Sequence, residues 1–145
     1  MASGQQVIDC NARPYVKETW DLVEHTKRGL LKWDSNNVRL YQPRVRRHGT
    51  RGNRWIPYRL GHEMRKRFAR NRTLNANIAD YLKANPDRIP ESWKGKAVFF
   101  WGTIYRSSGG SLCVRCLVWN GSEWDWDYYW LDYDFNSSYP AALAS

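Results

Sequence analysis

Leu112-Cys113-Val114-Arg115-Cys116-Leu117-Val118-Trp119-Asn120-Gly121-Ser122-Glu123-Trp124-Asp125-Trp126-Asp127-Tyr128-Tyr129-Trp130 is the stretch that decides the fold. Asn-Gly between two runs rich in β-branched and aromatic residues is a strong hairpin signal, because both residues tolerate the positive φ of a tight turn. The spacing predicts strands over 112–119 and about 123–130. Side chains on a strand alternate, so Trp124, Trp126, Tyr128 and Trp130 share one face and Asp125, Asp127 and Tyr129 the other. A row of Trp opposite a row of Asp predicts a sheet with one buried and one wet face. Upstream, Ala97–Tyr105 is again β-branched and aromatic, and Ser107-Ser108-Gly109-Gly110 reads as a turn. The expectation is a C-terminal three-stranded antiparallel β-meander.

Working outward, helical periodicity replaces alternation. Gly61–Arg70 is a short helix candidate with Met64 and Phe68 on one face. Asn75–Ala84 is a second, with Ile78, Tyr81 and Leu82 at i, i+3, i+4; Thr73 or Asn75 caps its start and Asn85-Pro86 stops it. Ile89–Trp93 reads as a tight turn that docks Trp93. Gly29–Trp33 and Val38–Tyr41, separated by Asp34-Ser35-Asn36-Asn37, read as a hairpin. Val16, Trp20 and Val23 recur at helical spacing in an otherwise ambiguous N-terminal stretch. The fold class is α+β, a single domain over 1–145: a basic part, 1–72, with the hairpin and an Arg-rich loop, then a helix and the aromatic meander over 73–145. A chain of 145 residues buries about 68–70% of its unfolded surface, so it folds without a metal or disulfide staple.

Charge divides the chain in the same way. The whole carries 23 Lys and Arg against 14 Asp and Glu, a net +9, with nine Trp and nine Tyr. That aromatic content excludes a disordered chain, a coiled coil and a collagen-like chain. Residues 1–96 hold 21 basic and nine acidic side chains, whereas 97–145 hold two and five. Arg44, Arg46, Arg47, Arg51 and Arg54, beside Trp55 and Tyr58, make a stretch suited to gripping phosphates and stacking on bases. Arg65, Lys66, Arg67 and Arg70 extend it along the first helix. The same residues also suit a solvated basic face.

Catalytic and metal motifs are sparse. Cys113 and Cys116 stand three apart on a strand and so face opposite sides of the sheet, without the second ligand pair that a structural zinc needs. With Cys10 they make an odd count and no disulfide framework. His62-Glu63 opens like a zinc-protease helix, but Lys66 stands where the second histidine belongs. No metal or other cofactor is expected, and no enzymatic activity. No basic-plus-apolar leader opens the chain, and the longest apolar run, Ala97–Trp101, is far below the roughly 20 residues of a membrane span. The expectation is a cytoplasmic protein.

Leu74-Asn75-Ala76-Asn77, Ile89-Pro90-Glu91-Ser92-Trp93-Lys94-Gly95-Lys96, Val98–Arg106 and the Trp-rich tail carry a resemblance. Over residues 74–145, and weakly over 20–40, the chain resembles a family of small bacterial proteins found among candidate-phylum and metagenomic sequences, which brings no established activity. The frame of the tail is Trp124-x-Trp126-x-x-x-Trp130-Leu131-Asp132-x-Asp134, then an aromatic, then Pro140-Ala141-Ala142. Asp, Tyr, Asn and Ser, the residues reached by substituting the adenines of an asparagine codon, fill its variable positions. Such a block resembles the variable region of target proteins of diversity-generating retroelements, in which a reverse transcriptase rewrites the end of a gene to vary a binding surface.

The resemblance implies a non-enzymatic binder of a protein or surface ligand. Its contact residues are Asp125, Asp127, Tyr128, Tyr129, Tyr133, Asn136, Ser137, Ser138 and Tyr139. Asp125, Asp127, Tyr129, Tyr133 and Ser137–Tyr139 are then exposed and contiguous, and Trp124, Trp126 and Trp130 buried. Three features depart from it. Phe135 replaces an expected Trp, Tyr128 shares the face of the anchoring tryptophans, and Arg44–Arg54 has no counterpart. Known targets often have a C-type-lectin-like fold, to which this sequence has a partial likeness. The alternative is a nucleic-acid-binding protein using the basic stretch Arg44–Arg72.

Overall fold

A computed structural model describes residues 7–42, 45–46, 55–56, 59–69, 71–135 and 138–145, with 45–46, 55–56 and 59–60 as backbone. The N-terminal strands are β1 (Val7–Asp9), β2 (Asp21–His25), β3 (Leu30–Lys32) and β4 (Val38–Tyr41). Two-residue strands β5 (Val45–Arg46), β6 (Trp55–Ile56) and β7 (Arg59–Leu60) lead into α1 (Gly61–Phe68) and α2 (Ala76–Ala84). The chain ends with β8 (Val98–Phe99), β9 (Thr103–Arg106), β10 (Leu112–Trp119), β11 (Trp124–Trp130), β12 (Asp134–Phe135) and β13 (Ala141–Ala144). The class is α+β, mostly sheet.

The Asn120-Gly121 hairpin forms, with Trp119 opposite Trp124 and Cys113 opposite Trp130 across a loop over Asn120–Glu123. Gly121 takes the positive φ of the turn, 101°. The free-standing three-stranded meander does not. β10 lies within a curled seven-stranded sheet of order β2-β9-β10-β8-β13-β4, with β11 paired to its other side. The expected strand 97–105 is broken at Phe100–Gly102 into β8 and β9, which pair with different parts of β10. The break has a packing cause. A Cβ on Gly102 would lie 2.9 Å from the Asn75 Cβ, so the backbone turns there against the start of α2.

The remaining strands come from distant sequence. β2 pairs with β9, and β13 lies antiparallel to β4 and parallel to β8, so both ends of the chain enter one sheet. The hairpin expected over 29–41 is absent. β3 pairs with β1 and β4 with β13, because a 3₁₀ turn over Ser35–Asn37, capped by Asp34, redirects the chain. Between them Trp33 is buried, donating Nε1–H to the Arg88 carbonyl at 3.0 Å and standing edge-on to Trp93. The helical spacing of Val16, Trp20 and Val23 yields no helix: Thr19 adopts φ 71° and β2 begins at Asp21.

Both faces of the central strands are covered, so the expected wet face is confined to the edge strand β11, where Asp125 and Asp127 are exposed. Ile78, Ala79 and Leu82 of α2 pack with Val98, Phe100, Leu117 and Trp124 on one side. Met64 and Phe68 of α1 pack with Phe99, Val114, Cys116 and Phe135 on the other. The helices start as the sequence predicts. Asn75 caps α2, its Oδ1 accepting from the Asn77 N–H at 3.1 Å, while its amide donates to the Cys10 and Thr26 carbonyls, both at 2.9 Å. Asn77 likewise donates to the Asp9 and Ala12 carbonyls at 3.0 and 2.9 Å. Two buried amides thus lace the N-terminal segment to α2. Among the described residues no helix is long and apolar enough to cross a membrane.

Candidate functional site

β11 is where the alternation of the sequence becomes geometry. Its inner face meets Arg115, a fully buried arginine at the centre of β10 and directly opposite Tyr128. An unpaired buried guanidinium would be very costly, so its partners define this region. Arg115 Nη1 donates to Asp80 Oδ1 from α2, and Nη2 donates to the Tyr15 carbonyl at 3.0 Å and the Tyr128 hydroxyl at 3.1 Å. The rings of Trp126, Tyr105, Tyr128 and Tyr15 surround its Cζ at 4.5–5.7 Å. Burial alone would lower the Arg115 pKa, but Tyr105, Asp80 and Tyr128 hold it above the ordinary value, so the cation persists. Burial pushes the Asp80 carboxyl up against the pull of Arg115.

The outer face carries the residues expected to bind. Asp125 and Asp127 are exposed and Tyr129 is half-buried. Asp125 lies 3.8 Å from Lys83 Nζ, and Asp127 Oδ1 accepts from the Tyr128 N–H at 2.8 Å. The Tyr129 ring centroid is 5.5 Å from Tyr133 and 5.1 Å from Tyr139, so three tyrosines from separate turns of the tail make one cluster. Phe99 and Phe135 floor it, each edge-on to Tyr129. Burial, then Tyr139 and Asp134, raise the Tyr129 phenol above its usual range, keeping a neutral hydroxyl. Tyr133 and Ser138 are exposed and Tyr139 is half-buried. Asn136 and Ser137 lie outside the described residues.

Tyr128 is not the contact residue that the resemblance implies. It is 8% exposed and its hydroxyl serves Arg115, so it is part of the frame. Of the anchors, Trp124 is buried, while Trp126 and Trp130 are half-buried. Phe135, standing where Trp was expected, is fully buried and fills the same role of floor.

The turn after β11 is pinned. The Gly61 and His62 N–H groups donate to the Tyr133 and Leu131 carbonyls at 2.9 and 3.1 Å. A Cβ on Gly61 would sit 2.5 Å from Leu131 Cα, so only glycine allows this approach. His62 Nε2 is 2.8 Å from Asp132 Oδ1, and β12 pairs with β7. The carbonyls of Ser138 and Pro140 accept from the Ala97 and Phe99 N–H groups, both at 2.9 Å. The chain after β11 is thereby held on both sides.

The basic stretch is only partly visible. Arg44, Arg47, Arg51, Arg54 and Arg70 lie outside the described residues, and Arg46 is described as backbone in β5. Arg65 pairs with Glu24 at 3.5 Å, while Lys66 and Arg67 are exposed on α1. Cys10, Cys113 and Cys116 are all free and buried. Cys113 and Cys116 do point to opposite sides of the sheet. Burial pushes the Cys10 and Cys113 thiols up to about 11 and about 12, and Cys116 higher still, so thiolate chemistry is suppressed.

Two arrangements escaped the sequence reading. The His62–Asp132 pair joins residues 70 positions apart and leaves no local signal. Arg115 did leave one: a lone charge inside an otherwise apolar strand implies a dedicated buried partner. Comparison with protein-family models, curated proteins and solved structures returns no match.

Proposed function

We propose that the protein is a non-enzymatic binding protein whose contact surface is the outer face of β11 and the loop that follows it. The carrying observation is the exposed set Asp125, Asp127, Tyr133 and Ser138, which adjoins the clustered rings of Tyr129 and Tyr139. Asn136 and Ser137 complete it in sequence. Tyr supplies rigid, amphipathic contact area, and Ser, Asn and Asp supply adaptable hydrogen bonding, the mixture used by antibody loops. The ligand is a protein or a cell or particle surface. Diversification by a retroelement accounts for Asp, Tyr and Ser at the exposed positions 125, 127, 133 and 138, while Trp, Leu and Pro hold the frame.

The reading is tested by randomising codons 125, 127, 129, 133 and 136–139, and separately 124, 126, 128 and 130, in displayed libraries. The first library should remain mostly folded and yield binders to unrelated protein targets; the second should be mostly unfolded. Equal loss of folding in both would overturn the reading. The flanking genomic DNA should carry a reverse-transcriptase gene and a near-copy of the tail-coding sequence that differs only at adenines.

A second reading, a nucleic-acid-binding protein, is favoured by Lys66 and Arg67, which α1 presents to solvent with no ion pair among the described residues. It requires affinity for a single-stranded oligonucleotide to fall steeply with added salt. Salt-independent binding would argue against it.

A further inference from the structure

A second site lies away from the tail surface. An open cleft of about 360 Å³ runs between α1, the end of β2 and the segment before α2. That volume is at the small end of ligand pockets. Among the described residues, its walls place three cations, Arg28, Arg65 and Lys66, against one carboxylate, Glu24, which Arg65 approaches at 3.5 Å. Phe68 and Trp101 form an apolar wall, their rings 5.5 Å apart.

Two of these groups are held in place with hydrogen-bonding capacity left over. Arg28 is half-buried and fixed, its Nε donating to the Thr73 carbonyl at 2.7 Å and its Nη2 to the Asn71 carbonyl at 3.1 Å. Its Nη1 has no acceptor among the described residues. Burial and the nearby Arg72 charge both lower the Arg28 pKa, the mark of a cation lacking a counter-charge. Trp101 is 4% exposed, and its Nε1–H has no acceptor among the described residues. That N–H is itself covered, so Trp101 meets the cleft as part of its apolar wall.

We propose that this cleft binds a small phosphate monoester, with the phosphate against Arg28 and Lys66 and the organic group against Phe68 and Trp101. The charge count favours this class. Three cations and one carboxylate leave two positive charges, and a phosphate monoester carries about −1.5 to −2 at neutral pH. A monocarboxylate leaves the cleft cationic. The planar guanidinium suits a multi-oxygen anion, and the aromatic wall distinguishes an organic ester from inorganic phosphate.

Phenyl phosphate is the probe, titrated into the full chain at constant ionic strength and followed in the indole region of the ¹H–¹⁵N spectrum and by calorimetry. Binding should be saturable and should move the Trp101 Nε1–H resonance, assigned by its loss in Trp101→Phe or, if that variant does not fold, by its contacts to Phe68. Lys66 is exposed, so Lys66→Glu leaves the fold intact and should weaken binding by about tenfold or more, as loss of a charge-assisted contact does. Tyr133→Ala should bind unchanged. Benzoate should bind at least about tenfold more weakly, and inorganic phosphate more weakly than its ester. The proposal is overturned if binding is not saturable, if Lys66→Glu has no effect, if benzoate matches phenyl phosphate, or if only oligonucleotides move the resonance.

Discussion

The two faces of β11 are built from similar residues and differ in what those residues touch. On the inner face, Tyr128 is committed to Arg115 and Trp126 stacks on Tyr15 at 5.8 Å while covering the same guanidinium. On the outer face, Tyr129 touches other aromatic rings, and Asp127 bonds only its neighbour's N–H among the described residues. Position parity along one strand therefore separates groups whose loss leaves a buried charge from groups whose loss leaves a solvated surface. Replacement of the exposed side chains of the second kind should therefore cost little stability, provided the first kind is left alone.

The sharpest break of that contrast is at Arg115. Arg115→Leu strands Asp80 without its partner and should cost about 3–5 kcal/mol in urea unfolding. Arg115→Leu combined with Asp80→Leu should recover much of that loss, because no unpaired charge remains. If the single and double variants are equally unstable, packing rather than charge holds the inner face. Next in size is Asn75→Ala, which removes the α2 cap and leaves the Cys10 and Thr26 carbonyls without their donor. A loss of about 2–3 kcal/mol is expected from the cap and the unsatisfied groups together.

Gly61→Ala tests whether the outer loop depends on its seat against α1. The added methyl meets Leu131 backbone, and a cost of about 1–3 kcal/mol follows from overpacking. Loss of binding beyond that explained by unfolding would show that loop placement matters. The pH response is smaller. Burial, assisted by Lys27, lowers the His25 pKa below its ordinary value of 6.5, against the Ala12 and Cys10 carbonyls. The unfolded chain then takes the proton first, so His25's contribution is constant above about pH 6.5 and declines as pH falls from there to the folded pKa. The slope is at most about 1.4 kcal/mol per pH unit. Urea midpoints between pH 8 and 5 should show it, and His25→Gln should flatten it. The smallest effect on stability belongs to the outer residues. Tyr133→Ala and Asp127→Ala should stay within about 0.5 kcal/mol of the parent while abolishing binding to a target selected against the parent surface.

Local signals carried the hairpin at Asn120-Gly121, both helices with the Asn75 cap, and the docked Trp93, since each depends on residues a few positions apart. Parity along 124–130 was equally legible, because the period of two is intrinsic to a strand. What the sequence concealed was partnership at long range. Gly29–Trp33 and Val38–Tyr41 look like two arms of one hairpin, yet they pair with β1 and β13 instead. The run at 97–105 reads as one strand because the contact that breaks it, Gly102 on Asn75, comes from another element. Tyr128 was misplaced among the contact residues by its composition, although its parity already put it with the tryptophans. Parity was the better guide.

The fourfold pairing of β13 with β4 carries a consequence for how this gene can change. Val38–Tyr41 finds its partner about a hundred positions later, in Ala141–Ala144. A missense change anywhere between Asp125 and Tyr139 leaves that partner in place. A reading-frame shift in the same interval replaces it, and Val38–Tyr41 is left as an unpaired edge able to seek strands of other chains. A tail that varies heavily under this architecture must therefore keep its reading frame, and Val38–Tyr41 cannot pair until Ala141–Ala144 has been made.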